Sequence, residues 1–141
     1  MKIRIAIVDD HEIIIEGLKV ILNKFGDFKV VLTAQNGDEI FDKLAINNNV
    51  DIILLDMNMP GMSGIDLLIK LLNTYSEIKI LVLTIHPFDK FAQRTFFAGA
   101  HGYLCKDTAL EYLHIAIREV VKGNLYFPEL LDHDYLDDWE N

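Results

Sequence analysis

Acidic residues follow two apolar segments of this sequence, in positions where carboxylates could bind a metal ion and receive a chemical group. Asp9 and Asp10 come directly after the first segment, and Asp56 closes the apolar run that begins at Val50. Anions that lie close together repel one another unless a cation or protons compensate, so such a cluster indicates a functional site. Mg²⁺ prefers carboxylate oxygens, with water, a backbone carbonyl and phosphate oxygens completing its coordination. The three acids therefore predict a magnesium site.

Two further residues could complete the chemistry, because Thr84 ends the fourth apolar segment and Lys106 follows the fifth. A carboxylate can attack phosphorus and form an acyl phosphate. A metal ion and the Lys106 ammonium would neutralise charge on the transferred oxygens, while Thr84 would donate a hydrogen bond. Ordinary interpretations also exist: helix capping for Asp9 or Asp10, β-propensity for the threonine and a solvated strand end for the lysine. Only their meeting at one place would predict a site that receives a phosphoryl group.

The elements that must position these residues alternate between strand and helix. Helical spacing of apolar residues separates the strand-like segments, Asn36 and Ser63 are predicted helix starts, and Gly123 is a predicted helix stop. The strand-like segments are residues 3–8, 28–33, 52–55, 80–84 and 102–105. Connections of this length indicate βαβ units, so we expect an α/β fold with one five-stranded parallel sheet and helices on both faces. Ligands collect at the carboxyl edge of such sheets.

Length and composition limit the classes of protein that the chain can represent. Its 141 residues are enough for one domain with a single substantial core. A net charge of −9 argues against this segment binding a nucleic acid backbone by itself, and it suits a cation or a basic partner surface. No apolar run reaches the roughly 18 residues of a membrane span, and no secretory signal opens the chain. With Cys105 as the single cysteine, we expect a cytoplasmic protein without membrane contact.

Four motifs, taken in order, resemble the receiver domain of two-component response regulators. They are the acidic pair after the first strand, Asp56 before Met-Asn-Met-Pro-Gly-Met-Ser-Gly, Thr84 after the fourth strand, and Gly-Ala-His-Gly-Tyr-Leu-Cys ending at Lys106. The resemblance covers roughly residues 2–123 and is strongest to receivers of NarL/LuxR-type transcription regulators. It implies a (βα)5 fold of the flavodoxin-like, CheY-like type. We expect a receiver domain at 1–124, with 125–141 as an acidic C-terminal tail or the start of a linker.

The resemblance implies a role for each acid of the cluster and for one neighbouring loop residue. Asp56 would be the phosphoacceptor, and it would bind Mg²⁺ directly together with Asp10. Asp9 would act largely through water. The backbone carbonyl of Asn58 would complete the protein's share of the metal coordination. The same four residues would therefore hold the metal and present the nucleophile.

The resemblance also implies how phosphorylation would be sensed. Thr84 and Lys106 would contact the phosphoryl oxygens, and Tyr103 matches the aromatic residue that rotates inward when the threonine is drawn to the phosphate. A sensor histidine kinase would be the phosphoryl donor, and the switched surface would bind a partner or form a homodimer. Output would be transcription, through a DNA-binding helix-turn-helix domain that this chain lacks. The protein would catalyse only its own phosphorylation and dephosphorylation.

Other functions are weighed against this one. A Mg²⁺-dependent phosphatase of the haloacid dehalogenase type needs Asp-x-Asp after the first strand, whereas Asp9 and Asp10 are adjacent. A degenerate receiver would lack the phosphoacceptor, the lysine or the acidic pair, and a nucleotide binder would need a Gly-rich loop after the first strand. A stand-alone receiver that acts by protein contacts stays open beside the transcription factor. We therefore expect a phosphorylation switch.

The sequence departs from the family pattern near the expected site. Asp107 follows Lys106 where many receivers have proline, and Ile85 follows Thr84 where small residues are frequent. His86 occupies a variable position that flanks the phosphoryl group in the family. We expect Ile85 to alter the rate of dephosphorylation.

Overall fold

The computed structural model describes residues 2–59, 63–84, 90–106 and 109–127, so Ile85, His86 and Asp107 lie outside the described residues. Within these ranges the chain alternates strictly between strand and helix. The elements are β1 (Ile3–Val8), α1 (Glu12–Leu22), β2 (Phe28–Ala34), α2 (Gly37–Ile46), β3 (Ile52–Asp56), α3 (Gly64–Thr74), β4 (Lys79–Thr84), α4 (Lys90–Ala98), β5 (Gly102–Cys105) and α5 (Ala109–Val121). Among the described residues, no helix has the length and apolarity that crossing a membrane requires.

The strands form one parallel five-stranded sheet in the order β2-β1-β3-β4-β5. Each predicted strand differs from the observed one by at most one residue at an end. The register aligns Val8 with Leu55, Asp56 with Leu83, and Thr84 with Cys105. The predicted fold is confirmed, and β1, β3, β4 and β5 end close to one another at the same edge of the sheet.

Helices cover the sheet on both faces and create two apolar clusters. Ile52 and Leu54 of β3 pack with α1 and α5, whereas Ile53 and Leu55 pack with α2, α3 and α4. Successive strand residues point to opposite faces, so a strand covered on both sides must be apolar throughout. All four of these residues are fully buried. The central strand is thereby held on both sides up to Asp56, its last residue.

The predicted helix ends are confirmed at two positions, and the capping bond expected at the third is not observed. Asn36 accepts a hydrogen bond from the Glu39 backbone N–H at 2.8 Å and so caps α2. Gly123 has a φ of 102°, in the left-handed region that favours glycine at a helix end. Ser63 stands at the start of α3 but its side chain makes no capping hydrogen bond. The Ser63 side chain therefore does not stabilise the start of α3 by capping.

His101 connects the start of β5 to β4 through both its backbone and its side chain. Its backbone N–H donates to the Ile80 carbonyl at 2.9 Å, and its ring Nδ1 lies 3.0 Å from the Ile80 backbone N–H. Because the N–H can only donate, Nδ1 is the acceptor and the ring is neutral. Burial, assisted by the charge of Lys79, lowers the pKa of His101 below its ordinary value. The native fold therefore favours the unprotonated ring.

We predict that His101 makes the fold less stable in mild acid. Below a pH of about 6.5 the unfolded chain takes up a proton that the native ring resists, so stability falls as the pH falls toward the lower native pKa. In His101→Asn the side-chain oxygen can still accept from Ile80 but does not titrate. Chemical denaturation from neutral to mildly acidic pH should give this variant a flatter stability profile than the wild type. His101→Ala should lose about 1–3 kcal/mol at every pH, because the Ile80 N–H then lacks its acceptor. Parallel profiles for wild type and His101→Asn would contradict the prediction.

Candidate functional site

The carboxyl edge of the sheet brings together the five side chains that the sequence predicted to meet. Backbone hydrogen bonds extend the strand ladder past the strand ends. Asp9 N–H donates to the Ala34 carbonyl at 3.0 Å, and Lys106 N–H donates to the Thr84 carbonyl at 2.7 Å. These bonds fix the direction in which the side chains leave the sheet. Asp9 and Asp56 are each 1% exposed and Thr84 is fully buried, so the site lies below the surface.

The ammonium group of Lys106 lies between two of the carboxylates. Its Nζ is 3.2 Å from Asp9 Oδ2 and 3.2 Å from Asp56 Oδ1. The Lys106 side chain is only 18% exposed. The alternative interpretation of Lys106 as a solvated strand end is therefore wrong, and the lysine is part of the site.

The two oxygens of Asp56 have different surroundings. Oδ1 accepts a hydrogen bond from the Asn58 backbone N–H at 3.0 Å and contacts Lys106. Oδ2 is buried and has no hydrogen-bond partner among the described residues. A buried carboxylate oxygen without a donor costs free energy. The contacts of Oδ1 therefore orient the carboxylate, while Oδ2 is buried without compensation.

Burial raises the pKa of the Asp56 carboxyl above its ordinary value, and the negative charge of Asp9 adds to this effect. The Asn58 amide and the Lys106 ammonium act in the opposite direction, but they do not outweigh burial. The native protein therefore disfavours the ionised form of Asp56 unless further positive charge enters the site.

The acids fit a hard divalent cation such as Mg²⁺. Asp9, Asp10, His11 and Asp56 each offer one ligand atom, and these atoms all lie within 4.8 Å of one another. Asp10 Oδ1 is buried without a hydrogen bond, like Asp56 Oδ2. Carboxylate oxygens are the ligands that Mg²⁺ prefers. The cluster is therefore compatible with Mg²⁺ binding.

His11 is a member of this cluster that the sequence did not predict. Its Nδ1 lies 3.2 Å from Asp9 Oδ1 and 3.0 Å from Asp10 Oδ1, the second contact without hydrogen-bond geometry. Its backbone N–H donates to Asp9 Oδ1 at 2.9 Å, while its side chain makes no capping bond to α1. The sequence signal was its position directly after the acidic pair and directly before the first residue of α1. Spacing between histidines, by contrast, carried no information.

The remaining predicted residues lie beside the cluster. The Thr84 hydroxyl donates to Asn58 Oδ1 at 3.3 Å, which links β4 to the loop after β3. Tyr103 is 2% exposed and is the register partner of Val82, two residues before Thr84. Alternate strand residues share a face, so Thr84 and Tyr103 lie on the same face of the sheet. The side chains of Thr84 and Tyr103 therefore belong to the same layer beside the sheet.

Comparison with known proteins gives one family. A family model described as the response regulator receiver domain matches residues 5–118. The transcriptional regulatory protein DegU of Brevibacillus brevis is 33% identical over 138 residues, covering 98% of this chain and 58% of the relative. The response regulator UvrY of Escherichia coli K12 is 36% identical over 124 residues, covering 88% and 56%. The chain thus spans somewhat more than half the length of these relatives.

A solved structure supports the same family. The crystal structure of a two-component response regulator of the LuxR family from Aurantimonas sp. SI85-9A1 superposes with a TM-score of 0.87 at 26% identity. The match covers 100% of both chains. The likeness thus includes the whole sheet and the helices on both of its faces.

We predict that Asp56→Asn stabilises the protein when Mg²⁺ is absent. The raised pKa means that the ionised carboxylate is less favourable in the native state than in the unfolded chain, so a neutral isostere removes this cost. The gain should be on the order of 1 kcal/mol, or about 3 °C in Tm for a chain of this size. Mg²⁺ should raise the Tm of the wild type but barely change that of the variant. Thermal unfolding with Mg²⁺ or with a chelator measures both effects.

The matched control is Asp42→Asn, which changes an exposed acid on α2 outside the site. It should leave both the Tm and its response to Mg²⁺ close to those of the wild type. An equal Mg²⁺ response in the Asp56 and Asp42 variants would refute a metal site at Asp56.

Proposed function

The chain belongs to the response regulator receiver domain family, and on that premise we propose that it is a phosphorylation switch whose phosphoacceptor is Asp56. The observation that carries the proposal is the asymmetry of this carboxylate. Oδ1 is held by Asn58 and Lys106, while Oδ2 is buried without a donor among the described residues. A carboxylate oriented in this way is suited to attack phosphorus and form an acyl phosphate.

The donor in this proposal is a phosphohistidine of a sensor kinase. A bond forms between Asp56 Oδ2 and phosphorus, the bond from phosphorus to the histidine nitrogen breaks, and the histidine leaves with its electron pair. Lys106 has two carboxylate partners before the reaction, so its ammonium is positioned to bind a phosphoryl oxygen as charge builds there. The lysine thereby supplies fixed positive charge without reorganising.

Asp10 and Asp56 would hold Mg²⁺ directly, with the Asn58 carbonyl as a further ligand and Asp9 acting through water. When bound, Mg²⁺ supplies the positive charge that neutralises the phosphoryl oxygens during transfer. The unsatisfied Asp10 Oδ1 supports this role, while Asp56 Oδ2 is kept for the bond to phosphorus. His11 adds a ring nitrogen next to the acids and would influence how Asp9 and Asp10 are oriented.

The signal would leave the site through Thr84. Phosphorylation adds about −1.5 to −2 charges and new acceptor oxygens at Asp56. The Thr84 hydroxyl would exchange its 3.3 Å contact with Asn58 for a phosphoryl oxygen, which is a stronger acceptor. Because Tyr103 lies on the same face of the sheet, this shift would bias the packing of α4 and β5. The bistable element is therefore the region around Tyr103.

The partners follow from the family. We propose that a sensor histidine kinase phosphorylates the protein and that the switched surface controls transcription, because DegU is named as a transcriptional regulator. The net charge of −9 disfavours DNA binding by this segment itself, so the output would act through a DNA-binding domain or a homodimer. Action as a stand-alone receiver through protein contacts is the alternative.

We predict that acetyl phosphate and Mg²⁺ add one phosphoryl group to the wild type and none to Asp56→Asn. The amide of asparagine is not a nucleophile of comparable strength, and the fold is retained. Intact-mass spectrometry measures the adduct, and Asp42→Asn serves as the control that should be modified like the wild type. An adduct of undiminished yield on Asp56→Asn would refute the assignment.

We predict that Lys106→Met slows phosphorylation by about 100-fold, the usual cost of losing one charged or hydrogen-bonding group that stabilises the transferring oxygens. Methionine keeps much of the apolar volume of the lysine side chain but removes the ammonium. The rate of adduct formation at fixed acetyl phosphate and Mg²⁺ is the measurement. Lys43→Met provides a matched control, since Lys43 pairs with Glu39 on the surface of α2. Equal rates for the two variants would exclude a role of Lys106 in transfer.

A further inference from the structure

The segment after α5 returns to the sheet and pairs with its outer strand. Gly123 ends the helix with a φ of 102°, and Asn124 N–H donates to the Glu119 carbonyl at 3.0 Å. Tyr126 then donates to the His101 carbonyl at 3.0 Å and accepts from the Tyr103 backbone N–H at 2.9 Å. β5 is the last strand of the sheet order, so these bonds cover an edge that would otherwise be open. We call residues 124–127 the C-terminal clamp.

The last residue of the C-terminal clamp packs against the proposed switch residue. Phe127 is 5% exposed, and its ring lies 6.4 Å from the ring of Tyr103 at an interplanar angle of 17°. It also meets Phe96 of α4 edge to face, at 5.2 Å and 87°. Leu125, two residues earlier, is 58% exposed. The clamp thus inserts one aromatic ring between Tyr103 and α4.

Tyr103 is therefore held by the C-terminal clamp in two ways. Its backbone N–H is bonded to Tyr126, and its ring is stacked on Phe127. With Phe127 in this position, Tyr103 is 2% exposed and belongs to the apolar cluster on the Thr84 face of the sheet. An aromatic ring gains burial and ring packing in this place, and it loses both if it turns outward. The clamp therefore favours the inward orientation.

We propose that the C-terminal clamp is a regulatory element that stabilises the inward orientation of Tyr103, so that the Asp56 site and the clamp bias each other. This inference rests on the proposed function, in which the inward ring accompanies movement of Thr84 toward the phosphoryl group. A clamp in place makes the phosphorylated state easier to reach. By linkage, a phosphoryl group at Asp56 tightens the clamp by the same factor.

The test is beryllofluoride binding with Mg²⁺, measured by isothermal titration calorimetry on the full 141-residue chain. We expect Phe127→Ala to weaken the apparent affinity about fivefold or more, the lower end of ordinary coupling factors. Phe127→Leu, which keeps apolar volume but loses the ring, should give an intermediate effect in a well-folded protein. Leu125→Ala is the matched control in the same segment and should bind like the wild type, since its side chain is exposed.

A second measurement follows the reverse direction of the coupling. Hydrogen exchange of the Tyr103 and Tyr126 amides should slow when beryllofluoride and Mg²⁺ are added to the wild type, because both amides donate within the clamp. In Asp56→Asn these amides should exchange at a rate that beryllofluoride does not change. Thermal unfolding of each variant confirms that the folded protein is being compared.

The outcomes separate the two proposals. A folded wild type that fails to bind beryllofluoride overturns the function proposed for Asp56. Wild-type binding with unchanged affinity in both Phe127 variants, and unchanged amide exchange, overturns the clamp alone. Loss of stability in Phe127→Leu without a change in affinity means that the clamp only supports the fold, and this too overturns the inference.

Discussion

The charge balance around the Lys106 ammonium is the interaction on which the site depends. This one cation contacts the carboxylates of Asp9 and Asp56 at 3.2 Å each, while Asp10 lies in the same cluster. One ammonium does not neutralise three carboxylates, so the carboxyl edge of the sheet keeps an excess of negative charge. This excess explains the fit to a divalent cation, and through Asp9 it adds to burial, which is the main cause of the raised pKa of Asp56. The excess of negative charge thus both favours cation binding and costs the native state free energy.

Burial of the apolar sheet offsets the repulsion within this charge cluster. The four residues before Asp56 are fully buried on β3, so the strand cannot shift or turn to release the carboxylate into water. Backbone hydrogen bonds also continue past the strand ends. One of them, from the Lys106 N–H to the Thr84 carbonyl at 2.7 Å, fixes the backbone at Lys106. The free energy of burying the core exceeds the cost of holding like charges together. The buried strand therefore keeps the carboxylates of the site in fixed positions.

The outer strand β5 connects this site to the C-terminal clamp. β5 is followed by Lys106 at the carboxyl edge, carries Tyr103 in its middle, and pairs with the C-terminal clamp on its free side. Thr84 and Tyr103 share one face of the sheet, and Phe127 packs against that same layer. The C-terminal clamp is therefore packed against the face of the sheet that carries Thr84 and Tyr103.

The sequence by itself determined the fold class, the strand boundaries to within one residue, and the identities of the acids, Thr84 and Lys106. It could do so because apolar segments and turn residues are local signals. Tertiary structure decided which partners these groups have. Lys106 and Asp9 are 97 positions apart, so only the folded chain shows that the lysine is an ion-pair partner instead of a solvated strand end. The joining of His11 to the acids and the packing of Phe127 on Tyr103 likewise depend on where helices end and chains return, which local sequence patterns do not encode.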